Sequence, residues 1–108
     1  MLSSVGADDP SKGPDTLRHY LEAKHAADEH LKAADVEHVI VRPISLSDDS
    51  GNGLVSLAEQ VDRDGEVTRD DVAAVLAASV TQAGLGGKVF EMAAGKTPVA
   101  RAIADVAA

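Results

Sequence analysis

The chain has 108 residues, no cysteine and a formal net charge of −8; 44% of it is hydrophobic, but 19 residues are alanine and only Tyr20 and Phe90 are aromatic. This length bounds it to one domain, which buries only about 60–65% of its unfolded surface behind small side chains, so the core should be thin. The acidic balance excludes sequence-independent nucleic-acid binding and docking on anionic membrane, and the lack of cysteine excludes disulfides, zinc–thiolate sites and thiol nucleophiles. No run approaches the ~18 apolar residues of a membrane span, and Met1-Leu2-Ser3-Ser4 carries no basic-then-apolar secretory pattern. A soluble cytoplasmic protein is expected.

In chain order, Met1–Val5 reads as the end of a strand, followed by a turn-rich stretch from Gly6 to Pro14. Asp15 is placed to cap a helix running to about Ala34 in which Ala, Leu, Glu and Lys dominate. The apolar, β-branched run Val39-Ile40-Val41 predicts a buried strand over residues 38–42, closed by Pro43. Residues 45–53 read as a polar loop. Thr68-Arg69-Asp70-Asp71 has the spacing of a capping box and opens a helix near 69–82, with Val72, Val75, Leu76 and Val80 on one stripe. Residues 88–93 predict a third strand, and Thr97-Pro98 places a cap and a first-turn proline at the head of a helix near 97–107. This alternation predicts an α/β fold, a three-layer arrangement around a parallel sheet.

On a helical wheel of residues 15–34, Leu17, Leu21, Ala27 and Leu31 define the apolar stripe. Tyr20 and Lys24 fall inside it, away from the face carrying Glu22, His25 and Glu29, so both are expected partly buried on one face. A lysine among leucines snorkels to solvent, pairs with Asp28, or serves a buried polar site. Four residues apart, phenol and ammonium can meet over one turn. A cation beside a phenol favours the phenolate, which suits acid–base work near neutral pH. The bland alternative is a solvated helix whose lysine snorkels past the leucines. Ser3 and Ser4 stand where the first strand ends, and strand carboxyl ends face the ligand crevice of open α/β sheets, so a hydroxyl there could polarise a carbonyl beside Tyr20. Their alternative role is a serine turn bonded to its own backbone.

Ser3-Ser4-Val5-Gly6-Ala7, then Tyr20-Leu-Glu-Ala-Lys24 with Ala27-Asp28-Glu29-His30-Leu31, then Val39-Ile-Val-Arg-Pro43, closely resemble the atypical short-chain dehydrogenase/reductase proteins. Thr68-Arg69-Asp70-Asp71-Val72-Ala73 and Phe90-Glu91 resemble the same family further on. The resemblance implies the C-terminal half of a Rossmann-like NAD(P)-binding domain. It makes Ser3 or Ser4 the carbonyl-polarising serine, Tyr20 the proton donor or acceptor, and Lys24 the group that binds the nicotinamide ribose. Pro43, Ile44 and Ser45 would lie near the nicotinamide, with NAD or NADP as cofactor and an oxidoreductase or epimerase as the activity. Family members that have lost catalysis make a cofactor-sensing or protein-interaction module the second reading, and an inert truncation product the third.

The departure from the family is the phosphate loop. Gly51-Asn-Gly53 and Gly84-Leu-Gly86-Gly87 are the only glycine clusters, and neither has the G-x-G-x-x-G spacing between strand and helix that lets backbone amides approach a pyrophosphate. The resemblance places Met1 inside a central strand of a chain about twice as long. A fragment, weak cofactor binding by this chain alone, and self-association through a raw strand edge at residues 1–5 are therefore expected. A remote alternative runs from Gln60 to Asp71, where Asp62, Asp64, Gly65, Val67 and Asp71 follow EF-hand spacing, although Gln60 replaces the first carboxylate and Asp71 the long bidentate glutamate. His19, His25, His30 and His38 lack i,i+4 spacing, and the three on the helix point to solvent on the wheel, so no metal site is expected.

Overall fold

The structure, a computed structural model, describes residues 1–34 and 37–108. Its main sheet is built on β1 (Val39–Pro43), which runs parallel to β5 (Lys88–Ala94) with Val41 opposite Phe90. The N-terminal segment lies along the other edge of β1, also parallel, with Leu2 opposite Val41. Ladder bonds run from Val41 N–H to the Met1 carbonyl at 2.9 Å, from Ser3 N–H to Val41 at 2.7 Å and from Val5 N–H to Pro43 at 3.1 Å. The expected edge at residues 1–5 is thus present. On the far side β5 pairs antiparallel with β3 (Leu54–Ala58), which pairs in turn with β6 (Thr97–Pro98). A separate two-stranded piece joins β2 (Leu46–Ser47) to β4 (Val67–Thr68) in parallel.

Strand alternation divides the chain into layers. Val41, Phe90 and Met92 point to one face, where α2 (Arg69–Thr81) and α3 (Val99–Ala107) cover them with Val72, Val75, Ala102 and Ile103. Ile40 and Arg42 point to the other face, where α1 (Arg18–Ala33) meets Arg42 through Asp28. The result is the α/β layering expected from the alternation, in the Rossmann-like form that the family resemblance implies, widened by antiparallel β3.

Several local expectations need correction. Helix α1 starts at Arg18 rather than Asp15: residues Asp15–Leu17 form a 3-10 turn, Leu17 is the N-cap, and Asp15 pairs with Arg18 at 3.1 Å instead of capping. Thr97-Pro98 does not open α3; Thr97 is held opposite Val55 as a strand residue, and Pro98 becomes the N-cap. Residues 45–53 are not all loop, because Leu46–Ser47 pairs with Val67–Thr68. Strand β3 had no counterpart in the sequence reading, since Leu-Val-Ser-Leu-Ala shows only a weak alternation. Its place depends on a close approach: a Cβ at Gly95 would lie 2.5 Å from the Val55 carbonyl carbon, so only glycine lets the β5–β6 corner close on β3. The capping box at Thr68 is half realised. Its hydroxyl oxygen accepts from Asp71 N–H at 3.1 Å, but Asp71 turns its carboxylate to Gly53 N–H at 2.9 Å.

Candidate functional site

Because the N-terminal segment and β1 are parallel, their carboxyl ends open in the same direction, and the turn after Val5 brings the first turn of α1 over them. These elements enclose a cleft of about 630 Å³. Ser3, Ser4, Tyr20, Pro43, Ile44 and Ser45 all line it, so six of the seven residues picked out in the sequence meet at one place. Lys24 stands behind Tyr20, with its Nζ 5.7 Å from the ring centroid and donating to the Leu2 carbonyl at 3.2 Å. A larger cavity of about 890 Å³, lined by Met1, His38, Val39 and the end of α2, holds none of the candidate residues.

The two serines have different surroundings. Ser3 is 2% exposed and its Oγ donates to Asp28 Oδ2 at 2.8 Å, while Arg42 Nη2 and Nε reach the same oxygen at 2.9 and 3.1 Å. Its proton is committed to that buried pair. Ser4 is only part-buried and its Oγ donates to the Val5 carbonyl at 3.0 Å, a local bond that a rotation about one side-chain torsion releases. Tyr20 is 50% exposed, more open than the leucine stripe implied. The buried side of α1 has turned toward Leu21 and Asp28, because Arg42 draws Asp28 inward. Lys24 accordingly does not pair with Asp28. His25, expected in solvent, lies 2.6 Å from the Ala7 carbonyl through Nδ1.

Behind the Pro43–Ser45 loop, Ile44 N–H donates to the Met92 carbonyl at 3.0 Å, and Val67 N–H donates to the Ser45 carbonyl at 2.8 Å. These bonds tie Pro43–Ser45 to β5 and β4, so the loop is held by strands rather than left free.

Three charged residues of the cleft were missed in the sequence: Lys12, Arg63 and Arg69. The reading of residues 60–71 weighed carboxylates for calcium and passed over the arginines between them. Arg63 is anchored by buried Glu91, donating from Nη2 to Oε2 at 2.5 Å, and Glu91 Oε1 also accepts from Val61 N–H at 3.1 Å. The Glu91 hydrogen bond raises the Arg63 pKa above its usual value, against the opposing cost of burial, so Arg63 stays cationic at any working pH. Arg69 Nε donates to Asp48 Oδ1 at 2.8 Å at the surface.

The acidic segment at residues 60–71 does not converge on a point. Asp62 Oδ1 accepts from Asp64 N–H at 3.0 Å in a local turn around Gly65, and Asp71 Oδ1 is taken by Gly53. The segment before it is strand β3, not an entering helix. Among the described residues no group of three or more His, Asp or Glu is placed to hold a metal ion. Calorimetry with calcium is expected to show no micromolar site, because calcium takes 6–8 oxygens and few are free here. A micromolar site lost in Asp64→Ala would overturn this.

Residues 1–83 match the family described as NAD(P)H-binding. The chain belongs to this family. It is 35% identical over 103 residues to the uncharacterized sugar epimerase YhfK of Bacillus subtilis, a match covering 95% of this chain and 48% of the relative. Among solved structures, a putative NAD-dependent epimerase/dehydratase from Bacillus halodurans superposes with a TM-score of 0.94 at 42% identity, over 97% of this chain and 50% of that one. An oxidoreductase from Lactococcus lactis gives 0.87 at 30% identity, over 96% and 49%. The chain therefore spans about half the length of the relatives it matches, and corresponds to their C-terminal half.

The cofactor of this family can be tested against the residues present. At Tyr20 and Lys24, where the resemblance puts the nicotinamide, donors are open: no hydrogen bond within the described residues engages the Tyr20 hydroxyl, and Lys24 has given one of its three donors to Leu2. At the diphosphate end it is poor. Gly51 and Gly53 already donate to Asp70 and Asp71, and Gly87 donates to the His38 carbonyl at 2.8 Å. The Gly51–Gly53 turn therefore offers no free glycine amide to a phosphate, and the Gly84–Gly87 turn has already committed that of Gly87.

Proposed function

We propose that this chain carries the catalytic, nicotinamide-side half of an NAD(P)-dependent oxidoreductase or epimerase acting on a carbonyl or hydroxyl substrate. The observation that carries the reading is the convergence of Ser4, Tyr20 and the Pro43–Ser45 loop on one cleft, with Lys24 stacked behind the Tyr20 ring. In this reading Tyr20 gives or takes the proton at the substrate oxygen, and Ser4, whose hydroxyl is not locked by Asp28, polarises the same oxygen. Lys24 holds the nicotinamide ribose with its free donors and keeps positive charge beside the phenol. The nicotinamide supplies hydride transfer when bound. Ser3 positions the segment through Asp28 and does not touch substrate.

The test uses a fusion in which the first half of the Bacillus halodurans relative precedes this chain, screened for NAD(P)H-dependent turnover of carbonyl compounds, sugar-derived ones included. Tyr20→Phe is expected to lower turnover by about 10²–10⁴-fold, the usual worth of a positioned acid–base group, with NADPH affinity nearly unchanged. Turnover that survives Tyr20→Phe would defeat the assignment. A fusion that binds NADPH yet turns nothing over would favour the sensor reading instead.

A further inference from the structure

The cleft has a charge pattern that acid–base chemistry does not explain. The chain holds 18 Asp and Glu against 10 Lys and Arg. Yet among the described residues the ionisable side chains on the cleft walls, Tyr20 aside, are Lys12, Arg63 and Arg69, and no carboxylate lines it. The acids that pair with these cations, Asp8, Asp9, Glu91 and Asp48, sit outside the lining. Among the described residues the cleft wall itself thus carries cationic groups, with the carboxylates that pair with them outside its lining.

We propose, building on the function assigned above, that this wall binds an anionic group of the substrate, a carboxylate or a phosphate, with Arg69 as the principal anchor. The three cations are not equivalent. Arg63 donates from both Nε and Nη2 to the buried Glu91 and also lies 3.8 Å from Asp8, so it cannot leave without stranding a buried charge and is not the contact. Arg69 is 59% exposed and its partner Asp48 is 87% exposed, so their pair is a surface one, held weakly and readily exchanged. A guanidinium presents a planar fork that matches carboxylate and phosphate oxygens, and exchange of Asp48 for a ligand oxygen conserves its hydrogen bonding. Lys12 is similarly loose, 3.7 Å from Asp9 and on the same cleft, where it adds a second, point-like positive charge for the anion. A substrate gripped by its anion on Arg69 then extends its reacting oxygen toward Ser4 and Tyr20 on the same cleft.

The experiment is an amide-detected NMR titration of the whole 108-residue chain with inorganic phosphate in one arm and malonate in the other. Ionic strength is held constant with chloride. Saturable shifts around Ser45, Arg63 and Arg69 are expected in at least one arm, and the stronger arm identifies the group. Arg69→Gln should weaken that binding by about tenfold, as loss of a charged hydrogen bond does. Lys12→Gln should weaken it less, and Arg101→Gln on exposed α3 not at all. Circular dichroism of each variant guards against unfolding. Shifts that do not saturate, or that survive Arg69→Gln, would overturn the proposal, and so would phosphate displaced competitively by NADPH, since the cations would then serve the cofactor. None of these readouts depends on turnover, so a fusion whose activity ignores Tyr20 would remove the catalytic reading while leaving the anion site standing.

Discussion

Replacing Asp28 by alanine is expected to destabilise the fold by about 3–5 kcal/mol, the cost of leaving a buried charge without its partner. Asp28 is fully buried, and one of its oxygens accepts from Ser3 Oγ, Arg42 Nε and Arg42 Nη2 together. Removing it strands the Arg42 guanidinium, whose side chain is only 10% exposed, and frees the Ser3 hydroxyl that ties the edge segment to α1. Against a total stability of about 5–15 kcal/mol for a domain, such a loss is large. Urea unfolding followed by circular dichroism should show a collapsed midpoint or no cooperative transition. The complementary variant is Asp28→Leu with Arg42→Met, which removes both charges and fills the space. It should recover most of the loss, since replacing a buried pair with apolar groups of similar volume is often neutral. An Asp28→Ala protein within about 1 kcal/mol of the parent would mean that the pair contributes little beyond its own desolvation cost.

The second large effect concerns the cofactor. This chain alone is expected to bind NADPH with millimolar affinity or weaker, and the fusion with the preceding half of the Bacillus halodurans relative to bind it at least about 10³-fold more tightly. What the chain itself offers is Lys24 for a ribose, Tyr20 and the Pro43–Ser45 loop. Hydrogen bonds of about 0.5–1.5 kcal/mol each, and about 1.5–3 for the charged one, barely exceed the cost of immobilising the ligand. One millimolar corresponds to about −4 kcal/mol, and the thousandfold gain to about another −4. That gain must come from glycine amides and a helix N-terminus on the diphosphate. Here the amides of Gly51, Gly53 and Gly87 are already spent on Asp70, Asp71 and His38. A fluorescence titration with NADPH checks both proteins. Low-micromolar saturation of the short chain would mean that it holds a phosphate site of its own, or that two copies complete one between them.

Pairing of two chains through the outer edge of the Met1–Val5 segment is a proposal of the same kind, motivated by the N–H groups of Leu2 and Ser4, residues whose carbonyls are already taken by Lys24 and Ala7. Among the described residues no helix is long and apolar enough to cross a membrane.

The sequence alone determined the three helices, the strands at 39–43 and 88–94, and the family-like order of Ser4, Tyr20, Lys24 and Pro43–Ser45. These are legible because each rests on local periods or on spacing along one element: the β-branched run of Val39–Val41, the four-residue step from Tyr20 to Lys24, the Thr68 cap three residues before Asp71. Tertiary structure alone decided the rest. Strand β3 exists because Gly95 lets the β5–β6 corner approach Val55 closely, a contact 40 residues away along the chain (from 55 to 95) that no local pattern announces. Ser3 and Ser4 look equivalent side by side, and only the strand's alternation, which buries one against Asp28 and Arg42 and leaves the other on the cleft, separates them. Lys12, Arg63 and Arg69 lie on three different segments, and their common wall emerges only when Glu91 and the short β2–β4 pair fold those segments over the strand ends. Electrostatic fields sum over space, so a charge pattern of that kind is invisible until the chain is folded.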